Sequence, residues 1–184
     1  MPIALNHVAF VVSDLGVAAG LASLGLAVGP AETFPSEGTT EVYVGEDGRP
    51  ARILLMRPDT DEGPYASALK RRGPGLHHVA LDVPDLDAFV ADRLAGTGWL
   101  LHPISLQTRA RSAAIWLARP GVGALIEVHE TKRAAAGAAV VEGVRIRGLA
   151  STPRLARLFR GVGVPVVDGE AGAVLVEGQA FTFR

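Results

Sequence analysis

His7 and His78 occupy the same place in two copies of one pattern. The copies, Asn6-His7-Val8-Ala9-Phe10-Val11-Val12-Ser13-Asp14-Leu15 and His77-His78-Val79-Ala80-Leu81-Asp82-Val83-Pro84-Asp85-Leu86, align without a gap seventy-one residues apart. An imidazole titrates near neutrality and is the commonest metal ligand, so a repeated histidine is a candidate for proton transfer or metal binding. A lone strand histidine is more often a surface or satisfied core residue, and two that superpose in a repeat fit that description less well. Late in the second copy, Glu127 and His129 alternate with Ile126 and Val128, which puts both polar side chains on one strand face. There His129 is a hydrogen-bond donor to Glu127, a proton shuttle or, most plainly, a solvated strand end. Arg109 and Arg111 flank Ala110 at an expected strand start. Alternation puts them on one face, either gripping a substrate carboxylate or phosphate or solvated on a hairpin. Lys70-Arg71-Arg72 closes an expected helix, where the dipole favours cations, and reads as capping and solubility.

The elements that must position these groups are legible from the repeat. Each copy opens with a run of β-branched and apolar residues, which predicts a strand. Ser13-Asp14 and Pro84-Asp85 are helix starts. The helices are expected from Leu15 to Leu24 and Leu86 to Leu94, stopped by Gly25 and by Gly96-Thr97-Gly98. Further strands are expected near Glu32 and over Thr39 to Val44, Ala51 to Met56, Trp99 to Ile104, Ser112 to Leu117 and Ala124 to His129. A short helix over Gly63 to Arg72 links the copies. Alternation gives His7, Ala9 and Val11 one face and Val8, Phe10 and Val12 the other. In the second copy His78, Ala80 and Asp82 oppose Val79, Leu81 and Val83, and parity sends His77 away from His78. The bulkier apolar faces should lie under the helices and the histidine faces should line a cleft.

The expected architecture is therefore α+β: paired βαβββ modules, 3–72 and 75–130, forming an open curved mixed sheet around a cleft within a 1–130 domain. Residues 138–184 read as a shortened third module, strand, helix and strands, with Gly143 at the histidine position and hence no metal ligand. At 184 residues, one domain or one with an appendage is expected. Net charge is −1, from 18 basic and 19 acidic residues, which argues against a generic nucleic-acid binder. The absence of cysteine excludes thiolate metal sites and a cysteine nucleophile. No apolar run reaches the roughly 18 residues of a membrane span, and the start lacks a signal-peptide pattern, so no membrane partner and a cytoplasmic location are expected. The dominance of Arg over Lys, with much Ala and Gly, points to a bacterial source.

Taken together, the two βαβββ units, the His-Val-Ala openings, Arg57-Pro58-Asp59, Ala68-Leu69-Lys70-Arg71-Arg72-Gly73, Gly75-Leu76-His77-His78 and Leu125-Ile126-Glu127 resemble the vicinal oxygen chelate superfamily of glyoxalases, bleomycin-resistance proteins and extradiol dioxygenases. The nearest look is to methylmalonyl-CoA epimerase. The resemblance implies four metal-ligand positions, which fall on His7, Leu54, His78 and Glu127. Leu54 cannot bind a metal. His7, His78 and Glu127 remain, a two-histidine, one-carboxylate set for one divalent ion (Fe2+, Mn2+, Co2+ or Zn2+) with open positions. The resemblance also implies an acid–base carboxylate aligned with Ser36, one place from Glu37, and a second such role at Glu127 or a neighbour such as His129. The implied activity is a metal-dependent lyase or epimerase-like proton transfer on a small oxygenated substrate. The alternatives are an extradiol-type dioxygenase, for which His102, His129 and Tyr43 are available acid–base groups, and a metal-free binding or resistance protein. A homodimer is expected.

Overall fold

The computed structural model describes residues 3–108, 113–133 and 135–183. Its larger sheet has eight strands in the order β2-β3-β4-β1-β5-β8-β7-β6. The first module supplies β1 (Ala4–Val11), β2 (Glu32–Phe34), β3 (Thr39–Val44) and β4 (Arg52–Pro58). The second supplies β5 (Gly75–Val83), β6 (Leu100–Leu101), β7 (Ala114–Ala118) and β8 (Leu125–Glu130). In each module the first strand pairs in parallel with the last, and β1 meets β5 antiparallel at the centre. The halves are thus related by a pseudo-two-fold axis between β1 and β5, which fits the α+β architecture expected of paired βαβββ units.

The helices start where the repeat places them. The Asp14 and Asp85 side chains accept the backbone N–H of Gly16 and Ala88, the usual aspartate cap. The first helical segment runs through a tight turn at Leu15–Val17 into α1 (Ala18–Ala22) and ends at Gly25, whose φ is +80°. The linking helix α2 (Pro64–Arg72) follows Gly63, and α3 (Leu86–Phe89) continues into a wider turn at Val90–Leu94. Val8, Phe10, Val12, Val79, Leu81 and Val83 are all buried in one cluster with Leu21, Leu86 and Phe89, so the bulkier face does lie under the helices. On the other face Ala9, Val11, Leu54 and Met56 form a small separate cluster with Tyr65 and Leu69 of α2.

Two expectations change in the second module. The strand predicted over Trp99 to Ile104 shrinks to β6, because Pro103 cannot join a ladder and the Ser105 hydroxyl bonds both backbone groups of Trp116 at 2.8 Å. Gln107 and Thr108 belong to a helical turn, α4 (Ser105–Thr108), not to a strand start. Arg109 and Arg111 lie outside the described residues.

The C-terminal segment forms its own sheet of β9 (Gly143–Ile146), β10 (Val166–Asp168), β11 (Ala173–Val176) and β12 (Gln179–Phe181), ordered β10-β9-β11-β12. Its element order is that of the other modules, strand, helical turns and three strands. Its pairing differs: β9 is parallel to the next strand, β10, and not to the last. Val144, Ile146, Leu149, Leu155, Leu158 and Phe159 join the same core as the β1 and β5 faces, and Trp99 Nε1 donates to the Leu155 carbonyl at 3.1 Å. Gly148 marks a close approach. Its φ is +82°, and a Cβ there would run into the Gly121 carbonyl oxygen. Gly148→Ala should therefore cost about 3 kcal/mol, from overpacking and backbone strain together. A urea midpoint indistinguishable from the parent would contradict this docking.

Candidate functional site

Strand pairing brings the two halves' polar residues into register. His7 lies opposite Ala80 and His78 opposite Ala9, so the two imidazoles meet diagonally across the central pair over small alanines. Ala80 in turn lies beside Glu127, which lies beside Trp116. The result is a compact cluster. His7 Nε2 and His78 Nε2 are 3.1 Å apart, Glu127 Oε2 is 3.6 Å from His78 Nε2, and the ligand atoms of all three residues lie within 4.8 Å of one another. His7, His78 and Glu127 are thus the three residues the resemblance implied.

Two irregularities orient the rings, and strand parity alone cannot foresee them. The β1–β5 register skips Asn6 on one strand and His77 on the other, the residue before each histidine. A bulge inserts a residue without a partner and re-aims its side chain. His77 accordingly does not turn away: its Nδ1 is 2.9 Å from His78 Nδ1, and its ring packs 5.0 Å from that of Tyr65. Asn6 Oδ1 accepts from His7 Nδ1 at 2.8 Å, and Asn6 Nδ2 donates to Asp82 at 2.9 Å. With its Nδ1 proton engaged, His7 presents a lone pair at Nε2. His78 does the same when its Nδ1 donates to His77. Such outer hydrogen bonds fix the tautomer of a metal-binding histidine.

Burial keeps these rings neutral. It pulls the pKa of His7 down to about 3, helped by His129 and Arg52, and that of His77 to about 3, helped by Arg72. His78 is held well below the ordinary histidine value, by burial first and then by His7 and His77. Neutral imidazoles beside a carboxylate are the form a divalent cation requires, so the residues present fit such an ion.

The linkage has a measurable sign. An unfolded chain binds protons at these histidines near pH 6.5, whereas the folded chain resists until about pH 3 at His7 and His77. Their contribution is full above about pH 6.5 and is lost progressively toward pH 3, at up to about 1.4 kcal/mol per pH unit for each ring. Glu41 and Asp82, both raised by burial, act in the opposite sense at more acid pH, and His129, raised by Glu127 and Asp82, offsets part of the loss nearer neutrality. The urea midpoint of metal-free protein should fall between pH 7.5 and pH 5; a flat profile would contradict the buried neutral assignment.

A cavity of about 560 Å³ opens over the cluster. His129 is on its wall, with Nε2 2.9 Å from Glu127 Oε1 and Nδ1 3.9 Å from Asp82. Burial lowers its pKa, but the Glu127 hydrogen bond and charge, with Asp82, outweigh that and leave it raised. His129 is therefore no solvated strand end. Glu37, in the turn between β2 and β3, also lines the cavity, and the Tyr65 hydroxyl donates to it at 3.1 Å. Ser36, its neighbour, lines the same cavity. Tyr43 lines the cavity, with the Arg52 guanidinium 4.2 Å from its ring centre and burial lifting its pKa to about 12. His102 is absent from that lining and instead accepts from the Ile104 N–H. Glu41, which the sequence did not single out, is 7% exposed, bonds the Thr39 hydroxyl and reaches the same cavity. Its signal was position: it shares a strand face with Tyr43.

Leu54 stands at the position equivalent to Glu127. It pairs with Ala9 and Tyr43 as Glu127 pairs with Ala80 and Trp116. It is buried against Ala9, Val11 and Met56, so this position offers no fourth ligand.

No helix among the described residues is long and apolar enough to cross a membrane. The chain is 34% identical over 97 residues to an ethylmalonyl-CoA/methylmalonyl-CoA epimerase of Cereibacter sphaeroides, covering 51% of this chain and 70% of that protein. It is 34% identical over 91 residues to the human mitochondrial methylmalonyl-CoA epimerase, where it spans about half (51%) of the relative's length and the match takes in 48% of this chain. The crystal structure of methylmalonyl-CoA epimerase from Mycobacterium tuberculosis superposes with a TM-score of 0.53 at 32% identity, over 71% of this chain and 89% of that one. Residues 6–114, more than half of the chain, match the family profile, and the chain belongs to the glyoxalase/bleomycin resistance protein/dioxygenase superfamily.

Proposed function

We propose that the chain is a divalent-metal-dependent epimerase acting on a 2-alkylmalonyl thioester of the methylmalonyl-CoA class, and that it works as a homodimer. The observation that carries this reading is the placement of proton-carrying groups on two walls of one cavity. Glu37 comes from the β2–β3 side of the sheet and the Glu127–His129 pair from β8, four strand positions from β3 in the order of the sheet, yet both line the same space above the histidines. Epimerisation needs this arrangement, a base on one face of the acidic carbon and an acid on the other.

His7, His78 and Glu127 would hold the ion, and when bound it supplies positive charge beside a developing enolate oxygen. Glu37, oriented by the Tyr65 hydroxyl, takes the proton from the carbon between the two carbonyl groups, and the electron pair moves into the thioester carbonyl as an enolate. His129, which Glu127 and Asp82 favour in the protonated form, returns a proton to the opposite face. The reverse reaction exchanges the two roles. Leu54 and Met56 give the alkyl substituent an apolar wall and keep water from it.

The test is hydrogen exchange at carbon 2 of methylmalonyl-CoA in D2O, followed by NMR, with Mn2+, Co2+, Zn2+ or Fe2+ added back. Metal-dependent deuterium incorporation, abolished by a chelator, is the expected result; no exchange with any of the four ions would overturn the reading. One observation favours a second reading. Leu54 leaves a two-histidine, one-carboxylate set with open positions, the pattern of non-haem iron oxygenases, and Fe2+-dependent O2 uptake with catechols would support it instead.

A further inference from the structure

A second cavity, of about 590 Å³, lies where the C-terminal sheet meets the end of α2 and the start of β5. Arg71 and Arg72 reach it from the last turn of α2, and Arg147 from the residue after β9. Among the described residues none of the three guanidinium groups has a carboxylate partner or a side-chain hydrogen bond, although Lys70, in the same run, is paired with Asp61. Among the described residues Glu170 is the single acidic one on the cavity wall. The helix dipole accounts for cations at the end of α2. It does not account for a third one brought to the same cavity from the C-terminal sheet. The three residues are exposed at the cavity mouth, and the Arg72 pKa is lowered by partial burial and then by Arg71.

The wall is built firmly. The Gly123 N–H donates to the Arg147 carbonyl at 2.8 Å, and a Cβ on Gly123 would stand 3.3 Å from the Arg147 Cβ. On the other side a Cβ at Gly172 would collide with the Leu76 side chain. The C-terminal segment therefore packs closely on either side of the arginines, by a backbone hydrogen bond at Gly123 and by the Gly172 backbone against the Leu76 side chain. The Gly73-Pro74-Gly75 turn contributes little bulk, which leaves the space open. His77, the partner of His78, also lines it.

We infer that this cavity is a binding site for a phosphate-bearing small molecule, gripped by Arg71, Arg72 and Arg147. Guanidinium forks match phosphate oxygens in geometry and charge, and three of them without carboxylate partners call for a ligand carrying more than one negative charge. The volume, within the usual range for small-molecule pockets, leaves room for more than a bare phosphate. The phosphate has two possible sources: the nucleotide end of an acyl thioester, or a separate phosphorylated metabolite seated behind His77. The site stands on its own geometry and does not depend on the epimerase reading.

Isothermal titration of the full chain at low ionic strength tests it, with inorganic phosphate and with adenosine 3′,5′-bisphosphate as probes. One saturable site per chain is expected, weakened at least 10-fold by Arg147→Ala and by Arg72→Ala and unchanged by Arg154→Ala, with unaltered melting temperatures confirming the fold. Bisphosphate binding at least 10-fold tighter than phosphate would support the site and assign it to a nucleotide-bearing substrate. Equal or weaker bisphosphate binding would support it as a site for a separate metabolite. Absence of saturable binding by either probe, or affinity unchanged in both Arg147→Ala and Arg72→Ala, would overturn it.

Discussion

His78→Ala should leave the protein without a bound divalent ion, lowering metal affinity by well over 100-fold and removing metal-dependent turnover with it. The reason is geometric. His78 is the middle of the cluster, 3.1 Å from His7 and 3.6 Å from Glu127 through the same Nε2. With Leu54 in the fourth place, only two ligands survive its loss. The outer partners should give a graded series. Asn6→Ala removes the acceptor that holds the His7 ring and should weaken metal binding by about 10- to 100-fold without abolishing it, the usual effect of losing such a partner. His77→Ala should behave similarly. Elemental analysis of protein never exposed to chelator, together with competition against a fluorescent chelator, reads the whole series. Unchanged metal content in a folded His78→Ala variant would refute the site.

The second large effect concerns proton transfer. Glu37→Gln keeps the size and the Tyr65 contact but removes the base, and general-base catalysis contributes about 10²- to 10⁴-fold. Carbon-2 exchange should fall by that factor while metal content stays at the parent level, which separates this variant from His78→Ala. Glu41→Gln is the informative comparison. Glu41 reaches the same cavity, but its carboxylate already accepts from Thr39 and burial raises its pKa. These features make it the rival base; with Glu37 as the base, loss of Glu41 should affect exchange far less. Should exchange survive in Glu37→Gln and vanish in Glu41→Gln, the base would be Glu41.

Much of this site could be read from the sequence because a repeat and a two-residue period carry real geometric information. The alignment of His7 with His78, and the alternation that groups His78 with Ala80 and Asp82 and Glu127 with His129, both lead to one cavity. What parity cannot report is a bulge. The extra residues at Asn6 and His77 reverse the expected direction of one side chain on each strand, and these are the two that hold the imidazoles. Their equivalence in the repeat was the available signal. Ser36 and Glu37 both reach the cavity from a turn, whose geometry alternation does not report, and the strand expected over Trp99 to Ile104 yielded to a serine that captures the backbone of Trp116. The arginine cavity was hidden for another reason: Arg71 and Arg147 meet only through the docking of two sheets, and no local pattern encodes that contact.

The pseudo-two-fold frame has one more effect, on handedness. Position by position, Val11, Leu54 and Met56 in the first half correspond to Asp82, Glu127 and His129 in the second, while Glu41 corresponds to Ala114. Had both halves kept the same residues, the cavity would have offered two equivalent orientations, and a bound molecule could have been turned end over end at no energetic cost. Divergence of the copies removes that degeneracy. An unsymmetrical molecule meets Glu41, Leu54 and Met56 on one flank where the other presents Ala114, Glu127 and His129, so only one of its end-to-end placements matches, and a scaffold born symmetric becomes able to tell the two ends of its ligand apart.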